Sequence, residues 1–215
     1  MGYHSPDDIA LLAHGAKQLG IEVTPEAIET TLCYVDLLIH WNQRINLTAI
    51  KDRRQILHAH ILDSWTLVTH LTDCHTLLDV GTGPGLPGIP VAIVCPSISV
   101  SLVESNGKKT AFLRQCKIDL ALGNIHVIED RVEQCSGDIK YDRIVSRAFS
   151  DLTQFVSGTS QLITTGGEWV AMKGMLPYDE IARVHEKVAS LRTTQVKVPG
   201  LQVERHLVHM TPYSV

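Results

Sequence analysis

The chemical signal of this 215-residue chain is concentrated in one stretch, Asp79-Val80-Gly81-Thr82-Gly83-Pro84-Gly85-Leu86-Pro87-Gly88. Glycines so placed let the backbone take positive φ and approach a ligand without obstruction from a Cβ. The apolar run Thr76 to Val80 precedes the turn and a helical pattern follows it, so the turn lies where a strand gives way to a helix. Unpaired N–H groups at such a helix start present themselves to an anionic group. Glu104 ends the next apolar run, and an acid at that place accepts the hydroxyls of a ribose. Gly81, Gly83 and Glu104 therefore predict a site for a nucleotide-type cofactor.

Gly83 to Gly88 satisfies the G-x-G-x-x-G pattern, so a dinucleotide is one reading. Three features favour S-adenosylmethionine over NAD. Asp79 lies two residues before the first glycine, where its carboxylate attracts an ammonium group and would repel a pyrophosphate. The third strand leads into Asp130-Arg131-Val132-Glu133, where Glu133 can accept from an adenine amino group. No separate domain for a hydride acceptor follows. ATP fits less well, because Gly107-Lys108-Lys109-Thr110 echoes a P-loop but Leu102 stands where its first glycine should be.

These residues need a sheet to position them. Short apolar runs at Thr76 to Val80, Val100 to Glu104, Ile125 to Ile128, Tyr141 to Val145 and Trp169 to Met172 alternate with helical segments near 86–95, 107–122, 151–163 and 178–191. Such alternation implies a parallel sheet with right-handed crossovers. Thr194 to Val198 and His206 to Met210 read as a closing antiparallel pair. Residues 1–72 read as a helical extension. There Thr24-Pro25-Glu26 starts one helix and Asp52 caps another, which carries the stripe Leu57, Ile61, Trp65, Val68 and Leu71. Trp41 and Trp65 are expected to pack in the core. The expected fold is thus an α/β Rossmann-like domain over 73–215, the class I S-adenosylmethionine-dependent methyltransferase fold with a mostly parallel seven-stranded sheet, preceded by the helical extension.

Composition narrows the field. Hydrophobic residues at 44% and charged residues at 20% are a globular balance. The longest apolar runs, such as Ile89 to Cys95, are too short to span a membrane. The first eight residues carry no basic stretch of the kind a signal peptide has, so a cytoplasmic protein without a membrane is expected. Cys33, Cys74, Cys95, Cys116 and Cys135 are scattered and odd in number, which argues against both a disulfide framework and a zinc site. His58 and His60, two apart, point in different directions on a helix, and no metal is expected. The net charge of −4 excludes a wholesale nucleic-acid coat but leaves room for a local basic patch.

Val80 to Pro90, V-G-T-G-P-G-L-P-G-I-P, resembles the cofactor loop of the bacterial methyltransferases that modify guanine N7 in 16S ribosomal RNA, the glucose-inhibited division protein B family. The similarity continues in Trp41-Asn42 with Asn46-Leu47-Thr48, in His60-Ile61-Leu62-Asp63-Ser64 and in Gly107-Lys108-Lys109 through Phe112-Leu113. Ser146-Arg147-Ala148-Phe149, Lys173-Gly174 and Glu204-Arg205-His206-Leu207 complete it, in order, from about residue 30 to about residue 210. The resemblance places cofactor contacts on Gly81, Leu86, Val132, Glu133 and Arg147. It departs at His58, where a basic or polar residue contacting phosphate is expected instead.

The resemblance implies a 16S ribosomal RNA or small-subunit particle as partner and a chain acting as a monomer. Guanine N7 carries an in-plane lone pair and no proton, so the reaction requires alignment rather than a general base, and no catalytic acid–base residue is expected. Arg147 and Lys173, just past strand ends, are candidates to hold guanine O6 or phosphate, with Phe149 as a stacking candidate. Lys108, Lys109, Arg205, Lys51, Arg53 and Arg54 are candidate phosphate contacts. The competing readings are a methyltransferase of the same fold acting on a small molecule or protein, and a non-enzymatic RNA-binding assembly factor.

Overall fold

The structure, a computed structural model, describes residues 4–147, 149 and 151–213. Alternate residues of an apolar strand serve opposite faces of a sheet, and β1 (Thr76–Val80) does so: Leu77 packs on one side, Leu78 and Val80 on the other. Strands β2 (Ser99–Val103), β3 (Ile125–Ile128), β4 (Tyr141–Ser146) and β5 (Ile163–Lys173) run parallel to it. Two antiparallel strands, β6 (Ser190–Gln195) and β7 (His206–Thr211), complete a seven-stranded sheet in the order β3-β2-β1-β4-β5-β7-β6. The order reverses at β1, so the C-terminal ends of β1, β2 and β4 open a crevice of the kind that holds ligands in such sheets.

The chain after residue 75 alternates as its sequence predicts, with α5 (Gly88–Val94), α6 (Gly107–Asp119), α7 (Leu152–Thr159) and α8 (Tyr178–Val184) between strands. The closing pair is antiparallel, as expected, but its first strand is displaced. β6 covers Ser190–Gln195 and pairs from Ser190 opposite Thr211 to Gln195 opposite His206, rather than occupying Thr194 to Val198. It is an edge strand with mostly exposed polar residues, so it carries no apolar alternation. Val196 and Val198 turn inward onto the core instead. The helix expected over 178–191 correspondingly ends at Val184, followed by a short 3₁₀ turn.

Before the sheet, α1 (Pro6–Leu19) is capped by Ser5 and closed by Gly20 at φ 70°, and α2 (Pro25–Asn42) is capped by Thr24 accepting from the Ala27 amide. Asp52 caps α3 (Arg53–Ile56), which passes into a π-helical turn at Leu57–Leu62 and then α4 (Asp63–Trp65). These helices share one continuous core with α5, α6 and one face of the sheet, while α7 and α8 cover the other face. Both tryptophans expected in that core take part in packing. Trp65 is fully buried and donates to the Pro90 carbonyl, and the ring of Trp41 lies 5.6 Å from that of Phe112.

Candidate functional site

Glycine permits what the turn after β1 requires. Gly81, Gly83 and Gly85 have φ of 65°, 60° and 96°, values that side-chain-bearing residues rarely adopt. The amides of Gly81 and Thr82 donate to the Val103 carbonyl at 3.0 and 3.1 Å, which bends the chain across the end of β2. A Cβ built on Gly81 or Gly83 meets no protein atom within 4 Å. At Gly85 it would lie 2.4 Å from Ile89 Cδ1, and at Gly88 it would lie 2.8 Å from Asp79 Oδ2. The first two glycines therefore face open space, and the last two are demanded by packing.

Asp79 supports this turn from below. Its Oδ2 accepts from Thr82 Oγ1 at 2.5 Å and from the Gly88 amide at 2.8 Å, and the residue is fully buried. Burial pushes its carboxyl up to about 6, against the lowering effect of those two hydrogen bonds. One oxygen of the carboxylate that the sequence suggested for attracting an ammonium group thus holds the turn, and the other, Oδ1, is buried without a hydrogen-bond partner among the described residues. From the helical side, the buried Tyr34 hydroxyl of α2 donates to the Pro84 carbonyl at 2.8 Å. Leu86 is only 2% exposed, and its side chain belongs to the core.

Glu104, just past β2, accepts from the Gly83 amide through Oε2 at 3.1 Å and from the Asn106 amide through Oε1 at 2.9 Å. Lys109 Nζ lies 3.8 Å from the same Oε2. The acid expected to meet a ribose therefore stands directly against the glycine turn. Val132 and Glu133 share a 3₁₀ turn after β3, the valine buried and the glutamate exposed.

Of the substrate-side cations named from the sequence, the structure gathers Arg147, Lys173 and Arg205 around a cavity of about 320 Å³, with Met172, His60 and Asp63 in its wall. Asp63 is the organiser. Its Oδ1 accepts from Arg205 Nε at 2.9 Å and its Oδ2 lies 3.4 Å from Arg147 Nη1, while its own side chain is 3% exposed. Lys173 Nζ donates to the Phe149 carbonyl at 3.0 Å and to Glu180 Oε2 at 2.9 Å, so much of its charge is already matched. Lys108 stands apart, exposed on α6 beyond β2.

Other candidates take structural duties. Arg53 pairs with Asp8 of α1 and Asp36 of α2, tying those helices to α3. His58 Nδ1 lies 2.8 Å from the Pro199 carbonyl, with its ring packed on Gly200. The Phe149 ring lies 5.4 Å from that of Phe155. Ala148, between Arg147 and Phe149 in the motif, lies outside the described residues.

The stretch Trp41-Asn42 to Asn46-Leu47-Thr48 now has a physical role. Asn42 Oδ1 accepts from the Leu47 and Thr48 amides and its Nδ2 donates to the Thr48 carbonyl, which fixes Thr48. Thr48 Oγ1 in turn lies 2.7 Å from His60 Nε2. Burial, aided by the neighbouring Arg147 charge, lowers His60 to about 4, so it is neutral near pH 7 and adds no charge to the cavity. Sequence reasoning noticed the His60 to Ser64 motif but gave neither His60 nor Asp63 a function. No local pattern could have done so, because Arg147 and Arg205 reach Asp63 from 84 and 142 residues away.

The glycine turn follows β1, and Arg147, Lys173 and Arg205 of the basic cavity follow β4, end β5 and precede β7, at the same edge of the sheet. The family model described as rRNA small subunit methyltransferase G, GidB, matches residues 27–208. The chain belongs to the GidB family. A Chromobacterium violaceum protein named ribosomal RNA small subunit methyltransferase G is 48% identical over 201 residues, covering 94% of this chain and 96% of its own. A protein of the same name from Aromatoleum aromaticum is 41% identical, covering 93% and 96%. Among solved structures, a putative S-adenosyl-L-methionine-dependent methyltransferase from Methanococcus maripaludis superposes with TM-score 0.59 at 13% identity, covering 84% of this chain and 93% of that one. Pyrococcus horikoshii TYW2 in complex with MeSAdo superposes with TM-score 0.57 at 14% identity, covering 73% and 64%. At such identities these last two show the fold alone, the class I methyltransferase sheet that the GidB chain shares. Among the described residues no group of three or more His, Cys, Asp or Glu is gathered to hold a metal ion. No described helix is long and apolar enough to cross a membrane.

Proposed function

We propose that this chain transfers the methyl group of S-adenosylmethionine to N7 of a guanine in 16S ribosomal RNA. An rRNA small-subunit methyltransferase dependent on that cofactor is what membership of the family means.

One observation carries it. At Gly81 and Gly83 the backbone is held in a positive-φ bend with open space where side chains would be, and Glu104 is bonded to the same bend. These residues fit the cofactor, with Glu104 for its sugar, the backbone of Gly81, Gly83 and Leu86 for its amino-acid end, and Val132 with Glu133 for its base. Arg147 lines the basic cavity, and its charge also acts on Asp79 beneath the cradle. When bound, the cofactor supplies an electrophilic methyl on a sulfonium.

The chain's own part is to align the guanine and exclude water, since N7 has no proton to remove. A neutral His60 and a doubly paired Asp63 are consistent with a site that needs no general base. Arg147, Lys173 and Arg205, with Lys108 further out, would hold the RNA, and we place the reaction in the cytoplasm with the chain acting as a monomer. Incubating labelled S-adenosylmethionine with undermethylated small-subunit rRNA or particles tests the reading. Label is expected as 7-methylguanosine, and label confined to another nucleoside, to protein or to small molecules would overturn it.

A further inference from the structure

We propose that Asp63 is a positioning residue that aims Arg205 at a phosphodiester of the RNA strand, while its second oxygen keeps Arg147 on the cofactor side. The inference rests on the guanine-N7 reading above and goes beyond it in saying what the basic cavity receives.

Two guanidinium groups from the ends of β4 and β7 converge on one carboxylate that is only 3% exposed, and each side chain keeps about a quarter to a third of its surface open. Two cations against one anion leave net positive charge, and a neutral His60 does not alter that balance. A guanidinium carries five N–H groups. Among the described residues, Arg205 engages Asp63 through Nε and the Glu204 carbonyl through Nη1, so donors remain for a ligand. A buried carboxylate that bridges the two groups sets their spacing and stops them from splaying into water. Such a fixed fork suits an anionic oxygen.

That anion is the backbone and not the base. Arginine commonly grips guanine through O6 and N7 together. Here the N7 lone pair is the nucleophile, and a donor resting on it would have to leave before reaction. The ring also gains positive charge as the methyl arrives, so a guanidinium at that edge would oppose the transition state. A phosphodiester meets neither objection, and phosphate contacts are the ones that fix the register of a strand.

The test measures RNA affinity against salt, RNA KM, kcat and S-adenosylhomocysteine affinity for the wild type, Arg205→Met, Asp63→Asn and the double variant, with undermethylated small-subunit rRNA. Arg205→Met should lower the slope of log affinity against log salt by about 0.7–0.9. It should also raise KM for RNA about tenfold, with kcat and S-adenosylhomocysteine affinity within about twofold of wild type. Because Asp63 acts through Arg205, the KM effect of Asp63→Asn should shrink by at least half, on a logarithmic scale, when Arg205 is already methionine. An unchanged salt slope with a fall in kcat in Arg205→Met would place Arg205 on the base and overturn the proposal. Fully additive KM effects would overturn the positioning role of Asp63. Should Asp63→Asn not fold, the surface variant Arg205→Met still decides the phosphate assignment through its slope. If the slope shifts as expected while the wild type labels no guanine N7, the function proposed above fails and the phosphate site stands.

Discussion

Substituting Gly83 by alanine separates a glycine kept for a ligand from one kept for packing. The residue sits at φ 60°, and a Cβ placed there touches no protein atom within 4 Å. The folding cost is therefore the left-handed backbone alone, about 1 kcal/mol, which lowers Tm by about 2–4 °C in a chain of this size. The Gly83 amide keeps its bond to Glu104, so the turn should persist. The added methyl nevertheless fills space assigned to the cofactor. Overpacking a fitted site costs about 1–3 kcal/mol, roughly tenfold to a hundredfold in affinity. Calorimetric titration with S-adenosylhomocysteine, paired with thermal unfolding, reads both effects. Gly85→Ala is the contrast, because its Cβ would lie 2.4 Å from Ile89 Cδ1 and 3.1 Å from Leu113 Cδ2, so it should lose far more stability. If Gly83→Ala shows the small Tm shift yet binds the nucleoside within twofold of wild type, the cradle is not where the cofactor lies.

Four further outcomes follow from the geometry. Glu104→Gln should retain the fold but bind S-adenosylhomocysteine at least about tenfold more weakly, since hydrogen bonds to a charged acceptor contribute about 1.5–3 kcal/mol; equal affinity in titration would remove Glu104 from the site. Tyr34→Phe leaves the Pro84 carbonyl without its buried donor and should cost about 1–3 kcal/mol in urea unfolding. Asp79 has a folded value near 6, above the 3.8 of an ordinary aspartate, so its stabilising contribution is full below about 3.8 and is lost as pH rises through 6. Wild type should accordingly lose about 2 kcal/mol relative to Asp79→Asn between pH 4 and pH 7, measured by urea unfolding at each pH. His60 behaves oppositely: its value near 4 lies below 6.5, so its contribution is present above 6.5 and fades as pH falls, and His60→Gln should flatten that acid loss.

What could be read from the sequence depended on how local its cause was. Strands buried on both faces announce themselves as apolar runs, as β1, β2 and β4 do, and the edge strand β3 was legible because Ile125, Val127 and Ile128 keep it apolar. The glycine turn was legible because positive φ restricts residue type at single positions. β6 was misplaced because an edge strand with solvent on its outer side has no apolar pattern to betray it. The part Asp79 plays in bracing the loop escaped the sequence for a different reason. A carboxylate next to a glycine turn has the same sequence signature whether it faces a ligand or braces the loop, and only burial distinguishes them. Asp63 and His60 were visible as a motif without a function, because their partners arrive from the far ends of β4 and β7. The π-helical turn before Asp63 gave no sign of itself in the helical stripe through Leu57, Ile61 and Trp65.

The sequence divides naturally near residue 72 into helices and sheet, yet the chemistry does not respect that division. The helical segment supplies Tyr34 to the glycine turn, Trp65 to the helix that follows it, and Asp63 and His60 to the wall of the basic cavity. The sheet supplies Gly81, Glu104, Arg147 and Arg205, whose placement depends on those helical partners. Removing the helices would expose a large part of the shared core and leave Arg147 and Arg205 facing each other without Asp63. A sheet domain alone could keep the topology of a methyltransferase, which many unrelated activities share. In the function proposed above, the helical partners orient the cations of that edge toward the RNA, so selection of the RNA should be more sensitive to residues 42–65 than to the strands themselves.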